Sequence, residues 1–133
     1  MTASVLYSGD LHCELTHLLS GVRISTDAPP DNQGKGEAFS PTDLCAVSLA
    51  SCALTTMAIR IREKNINIDG ARAEVTKVMA SDPRRIGRIE IRLFMPQNGY
   101  SEADKKLLTA IADSCPVALS LHPDLVQAVE FVW

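Results

Sequence analysis

The stretch "FSPTDLCAVSLASCALTTMAI", residues 39–59, contains no charged residue from Leu44 to Ile59. Ser40 followed by Pro41, with Asp43 three residues after the serine, is the pattern of a capped helix start. The residues that follow are apolar or small on every side, which predicts a helix surrounded by protein. We therefore expect a long central helix that ends near residues 63–65, where charges return.

Short strands are predicted on both sides of this helix. Residues 4–26 are rich in Val, Leu, Thr and Ile and are interrupted by Gly-containing turns, which predicts three strands. Segments 71–81 and 86–96 indicate a hairpin, because apolar and charged residues alternate along the second segment. The sequence "VQAVEFVW", residues 126–133, is typical of a final strand.

Two further helices are predicted in the second half of the chain. Ser101 caps the first, with Asp104 three residues later, and Pro116 begins a shorter one. Because strands and helices are largely segregated along the sequence, the pattern favours an α+β fold. A length of 133 residues suits a single domain, 1–133.

Composition and charge exclude several kinds of partner. The net charge is −3, with no basic stripe, so a nucleic-acid partner is not expected. The first residues lack the pattern of a signal peptide. The uncharged run of 16 residues falls short of the roughly 18–20 of a membrane-spanning helix. We therefore expect a cytoplasmic protein with no membrane partner.

Four cysteines leave several kinds of chemistry open: packing, a metal site, a disulfide or a reactive centre. Cys45 and Cys52 are seven residues apart on one helix, roughly 10 Å along its axis. That distance is too long for a disulfide, which needs Cα atoms within about 7 Å. His12 and His17 are predicted to point to opposite faces of a strand, and no CxxC occurs, so no metal is expected.

Local position suggests different reactivity for the cysteines. Cys115 falls beside the N-cap of the helix that begins at Pro116, where the helix dipole favours a thiolate. Cys52 lies about twelve residues into its helix, where burial would raise its pKa unless another group stabilises the thiolate. Packing is the commonest role of a free cysteine, and on the residues alone we expect it for all four thiols, Cys13 and Cys45 included.

The segment "FSPTDLCAVSLASCALTTM", followed by "CPVALSL", resembles the OsmC/Ohr family, the osmotically inducible and organic hydroperoxide resistance proteins. The resemblance covers nearly the whole chain and is nearest to the OsmC-like branch. It implies an OsmC-like fold, with antiparallel sheets around a long central helix. It also implies an intertwined homodimer with reactive sites at the interface.

The same resemblance implies a redox reaction at two thiols. Cys52 matches the peroxidatic residue, which attacks an organic hydroperoxide and becomes a sulfenic acid. Cys115 matches the resolving residue, which condenses with that acid to a disulfide. In the family an external dithiol, often on a lipoyl protein, reduces the disulfide. No cofactor is expected.

The sequence departs from the family pattern at the groups that activate the thiolate. Peroxidase members carry an acid directly after the proline, where this chain has Thr42; Asp43 is one step further around the helix. They also carry an arginine in the preceding loop, where the only cation here is Lys35. Glu37 and Arg23 are the remaining candidates for activation or substrate binding, although loop charges are usually solvated.

Two functions therefore fit the sequence. The first is a thiol-dependent peroxidase that reduces organic hydroperoxides in oxidative or osmotic stress defence. The second is a stress-related binding or interaction protein that keeps the fold and cysteines with little peroxidase turnover. The ionisation of Cys52 separates them, because an efficient peroxidase needs a stabilised thiolate.

Overall fold

The computed structural model describes all residues, 1–133, and divides them into two compact units, Met1–Cys45 and Ala46–Trp133. The division falls within the long helix α1, Pro41–Arg60. Whether the chain behaves as a single domain stays a prediction.

The first unit contains an antiparallel sheet of three strands in the order β1-β2-β3. Their bounds are β1 Ala3–Gly9, β2 His12–His17 and β3 Arg23–Asp27. Gly9 and Gly21 stand at the two turns with positive φ, a conformation that glycine adopts without strain. The three predicted strands are confirmed.

The loop after β3 is ordered by backbone hydrogen bonds and includes a single 3-10 turn, Pro30–Asn32. The buried carboxylate of Asp27 accepts a hydrogen bond from the backbone N–H of Glu37 at 3.0 Å. A Cβ at Gly34 would overlap the carbonyl oxygen of Ala28, so only glycine fits there. The loop between β3 and α1 therefore has a defined structure of its own.

Helix α1 begins where the capping pattern predicts. The Ser40 N–H donates to the Asp43 carboxylate at 2.8 Å, and the Asp43 N–H donates to Ser40 Oγ at 3.0 Å. The helix ends at Arg60, slightly earlier than expected, because Lys64 N–H bonds the Ile61 carbonyl and tightens the chain into a turn. By length and composition α1 could cross a membrane, a test that core helices of soluble proteins also pass.

The second unit contains a three-stranded sheet and two helices. In chain order they are β4 Arg72–Ala80, β5 Arg85–Phe94, α2 Glu102–Asp113, α3 Pro116–Ser120 and β6 Val126–Val132. The sheet order is β4-β5-β6. All of the predicted elements are present, and the α+β class is confirmed.

One strand pair departs from the expected antiparallel sheets. Strands β4 and β5 form the predicted antiparallel hairpin, but β5 and β6 run parallel. Helices α2 and α3 lie between β5 and β6 in the chain and form the crossover that parallel pairing requires. Cys115 lies at the junction of these two helices.

The core of the second unit is built on the central strand β5. Ile89, Ile91 and Leu93 are buried and alternate with exposed charged residues, as the period of two predicts. Leu49 and Met57 of α1 belong to the same core. The apolar face of α1 thus packs within protein and leaves a second face of the helix for Cys52.

Candidate active site

Cys52 lies on α1 with a hydroxyl one helical turn away. Residues four apart stand on the same face of a helix, and Thr56 Oγ1 lies 3.8 Å from Cys52 Sγ. The Cys52 side chain is half-buried, so its sulfur is sheltered but reachable. A sheltered, reachable thiol is the setting in which a cysteine can react with a small molecule.

Cys115 is brought to Cys52 by the junction between α2 and α3. It is the N-cap of α3, and its N–H donates to the Ala112 carbonyl at 3.3 Å. Its side chain is 0 % exposed and shares a hydrogen bond with Cys52. The two thiols that the sequence separates by 63 residues therefore meet in one site.

Hydrogen bonding lowers the pKa of Cys52. Burial acts in the opposite direction and raises it, but the Val117 N–H, the Thr56 hydroxyl and the Cys115 thiol together outweigh burial. All three donors are uncharged. Because Val117 lies in the first turn of α3, its N–H has no partner within that helix and is available to the sulfur.

Cys115 shows the reverse behaviour, which corrects the expectation that its N-cap position favours a thiolate. Burial raises its pKa, and the neighbouring Cys52 raises it further by charge repulsion and hydrogen bonding. Bonds from the Ala118 and Val117 N–H groups are too weak to compensate. Cys115 is therefore the protonated member of the pair and donates to Cys52.

The remaining predicted site residues all lie in the first unit. Arg23 is exposed on β3, and Lys35 and Glu37 are exposed in the loop, with no ion pair between these two. Thr42 Oγ1 lies 3.1 Å from Ser40 Oγ. The Asp43 carboxylate accepts a hydrogen bond from the Ser40 N–H at the start of α1. The activating or substrate-binding role proposed for these five residues stays a prediction.

A cavity of about 310 Å³ lies beside α1 in the second unit, and neither Cys52 nor Cys115 is among its lining residues. It is lined by Leu49, Ala53, Ala112, Asp113, Gln127 and Val129. Four of these side chains are apolar, and the Gln127 amide is held by the Ala118 carbonyl at 2.9 Å. Such a lining suits an apolar group better than a charged one.

Two contributors to the site were missed by sequence reasoning, Thr56 and the Val117 backbone. Thr56 carried a usable signal, since a hydroxyl four residues after Cys52 must share its helical face. Val117 carried only the general signal of a free N–H after Pro116. Its approach to Cys52 depends on the crossover, which the sequence pattern did not reveal.

Fold and site together define a small α+β protein with a paired-thiol centre. The family model for OsmC-like proteins matches residues 34–129. The chain belongs to the OsmC-like protein family, which confirms the resemblance read from its cysteine motifs. No curated protein is similar enough to count as a match.

Solved structures agree with this assignment. A Psychrobacter arcticus protein, provisionally assigned to the osmotic-stress and detoxification response, is 51 % identical with a TM-score of 0.95, covering 99 % of this chain and 96 % of that one. The organic hydroperoxide resistance protein OsmC of Legionella pneumophila is 15 % identical, with a TM-score of 0.74 and coverage of 100 % and 98 %.

A third structure, the organic hydroperoxide resistance protein OhrB of Bacillus subtilis, is 19 % identical with a TM-score of 0.72. The match covers 99 % of this chain and 98 % of that one. At this identity, as for the Legionella protein, the likeness establishes the shared fold. Family membership and the Psychrobacter relative connect the chain with stress-response proteins.

Proposed function

We propose that the protein is a thiol-dependent peroxidase that reduces organic hydroperoxides, with Cys52 as the peroxidatic and Cys115 as the resolving residue. The observation that carries this proposal is the hydrogen-bonded pair of thiols, one half-buried and one fully buried. Their opposite pKa shifts distinguish the two thiols, because Cys52 loses its proton more readily than an ordinary thiol and Cys115 less readily. Family membership supports the same chemistry.

In the first step the Cys52 thiolate attacks the terminal oxygen of the hydroperoxide. An S–O bond forms, the O–O bond breaks, and the alkoxide leaves and takes up a proton to become an alcohol. Cys52 is oxidised to a sulfenic acid, and the peroxide is reduced by two electrons.

In the second step Cys115 attacks the sulfenic sulfur of Cys52. An S–S bond forms, the S–O bond breaks, and the hydroxyl leaves as water with the thiol proton. An external dithiol, such as that of a lipoyl protein, then reduces the disulfide by exchange and is itself oxidised. The cycle requires a compartment that keeps dithiols reduced, so the proposed location is the cytoplasm.

The proposed substrate is a hydroperoxide with an apolar body. Cys52 lies in a segment that carries no charged residue from Leu44 to Ile59, and such apolar surroundings suit a body of this kind. Two proteins of the same fold are named organic hydroperoxide resistance proteins. A fatty-acid or aromatic hydroperoxide is therefore expected to react faster than hydrogen peroxide, which has no apolar group to bury.

The disulfide is the product that tests the proposal. Reduced protein is treated with one equivalent of cumene hydroperoxide, and peroxide loss, free thiols and digested peptides are measured. We expect peroxide loss with a Cys52–Cys115 cross-link, and dihydrolipoamide is expected to restore both thiols. Cys115 left free and Cys52 unmodified, with no peroxide consumed, would contradict the proposal and favour a stress-related binding protein.

We also propose that the protein forms a homodimer. Large apolar side chains of the first unit are exposed in the single chain, among them Val5, Leu6 and Tyr7 of β1 and Leu19 beyond β2. Exposed apolar surface of this kind marks an interaction site. Light scattering after size exclusion is expected to give twice the chain mass of 14.4 kDa. A monomer mass at micromolar concentration would contradict it.

A further inference from the structure

Two adjacent threonines of α1 use their hydroxyls differently. Thr55 Oγ1 donates to the Ser51 carbonyl at 2.8 Å, the usual bond of a helical threonine to the preceding turn. Thr56 Oγ1 instead lies 3.8 Å from Cys52 Sγ. Thr55 is exposed and Thr56 is half-buried on the same face as the sulfur. The two residues thus have the same chemistry, but only one of them contacts the reactive centre.

We propose that Thr56 is a positioning residue, whose hydroxyl donates a hydrogen bond to Cys52 Sγ and holds this sulfur in its ionised form. The inference rests on the proposed function only in taking Cys52 as the reactive thiol. Once Cys52 has lost its proton it has nothing to donate, so in the contact with Thr56 the hydroxyl must be the donor.

The other donors to Cys52 cannot be varied independently. The Val117 N–H belongs to the backbone of α3, and the Cys115 thiol is the second redox group. Thr56 is the one donor that a side-chain substitution can remove while both cysteines and the α3 backbone stay intact. Its bond contributes to the lowering of the Cys52 pKa, in agreement with the geometry.

The spacing also fixes where the sulfur points. In a helix the side chain of residue i lies against that of i+4, so a hydroxyl at Thr56 biases the Cys52 side chain along α1. A hydrogen bond in that direction restricts the rotamers of Cys52, so the bond that favours the ionised sulfur also orients it. Positioning and ionisation are thus two effects of one bond.

The test is the pH dependence of Cys52 alkylation. Thr56→Val replaces the hydroxyl by a methyl group of similar size, Thr56→Ser keeps the hydroxyl, and Thr55→Val is the matched control. Iodoacetamide labelling of Cys52 is followed by peptide mass spectrometry across pH 5–10. In Thr56→Val the apparent pKa of Cys52 is expected to rise by about 0.5–1 unit, since an ordinary hydrogen bond contributes about that much and the contact of 3.8 Å is a long one.

Below the pKa this shift lowers the labelling rate about three- to tenfold. Thr56→Ser is expected to restore the wild-type profile, and Thr55→Val is expected to leave it unchanged. Thr56→Ala provides a second variant if valine perturbs the helix. An unchanged profile in both Thr56→Val and Thr56→Ala would overturn the inference, as would an equal shift in Thr55→Val.

Labelling requires no peroxide, so the two proposals fail separately. A shifted profile in a protein that consumes no peroxide supports the role of Thr56 and rejects the peroxidase. An unshifted profile in a protein that forms the Cys52–Cys115 disulfide rejects Thr56 alone.

Discussion

Substitution of Cys52 by serine is expected to reduce the rate of organic hydroperoxide consumption by a factor on the order of a thousand or more. A serine hydroxyl at this position stays protonated at neutral pH. Its pKa is far higher than that of a thiol, and the hydrogen bonds that lower the pKa of Cys52 cannot bring it near neutral. Serine also has no sulfur to form the S–O bond of the proposed first step. The measurement is peroxide loss with cumene hydroperoxide and excess dihydrolipoamide.

The matched control for this substitution is Cys45→Ser, which removes the other thiol of α1. Cys45 lies two turns before Cys52, and we expect near wild-type consumption in this variant. If Cys52→Ser retained the wild-type rate, or if Cys45→Ser lost it equally, the assignment of Cys52 as the peroxidatic residue would be wrong. Circular dichroism checks that both variants keep their helices.

The largest effect on stability is expected from Leu93→Ala. Leu93 is 0 % exposed on the central strand β5, with Ala73 of β4 and Phe131 of β6 as its neighbours in the sheet. Truncation leaves a cavity that the strands on both sides cannot fill, and the expected loss is about 3 kcal/mol. This is a large part of the roughly 5–15 kcal/mol that stabilises a typical domain.

Urea unfolding at a fixed protein concentration measures this loss, since dimerisation would couple stability to concentration. Arg92→Ala is the control on the opposite face of the same strand. Arg92 is exposed and forms an ion pair with Glu130 at 3.1 Å, an interaction worth less than about 1 kcal/mol at a surface. Equal losses in the two variants would mean that β5 is not the core strand.

The fold was largely predictable because its signals are local. Ser40, Asp43 and Pro116 mark helix starts, because the signals of a helix start lie within a few residues of it. The buried face of β5 is predicted by the alternation of apolar and charged residues along the strand. The parallel pairing of β5 and β6 was not predictable in this way. The direction of β6 depends on the path of the chain through α2 and α3. The residue pattern within a strand does not indicate whether its neighbour runs parallel or antiparallel.

The candidate site was predictable only in part, for a related reason. Cys52 and Cys115 were selected as candidates by the motifs that carry the family resemblance, but no motif indicated how readily either thiol ionises. Its position beside an N-cap predicted a thiolate at Cys115, whereas burial raises the pKa of that residue. The Val117 N–H in the first turn of α3 instead donates a hydrogen bond to Cys52. Desolvation and the direction of a backbone N–H are tertiary properties.

The crossover between β5 and β6 has a consequence for the newly synthesised chain. Cys52 leaves the ribosome well before Val117 and Cys115, which belong to the crossover and contact Cys52 only once the crossover has docked. Until then Cys52 has no backbone donor from α3 and behaves as an ordinary thiol, mostly protonated at neutral pH. Non-local parallel pairing is among the later events of folding. We therefore expect the lowered pKa of Cys52 to appear only once this part of the fold has formed, so that Cys52 of an unfinished chain is less readily oxidised than Cys52 of the folded protein.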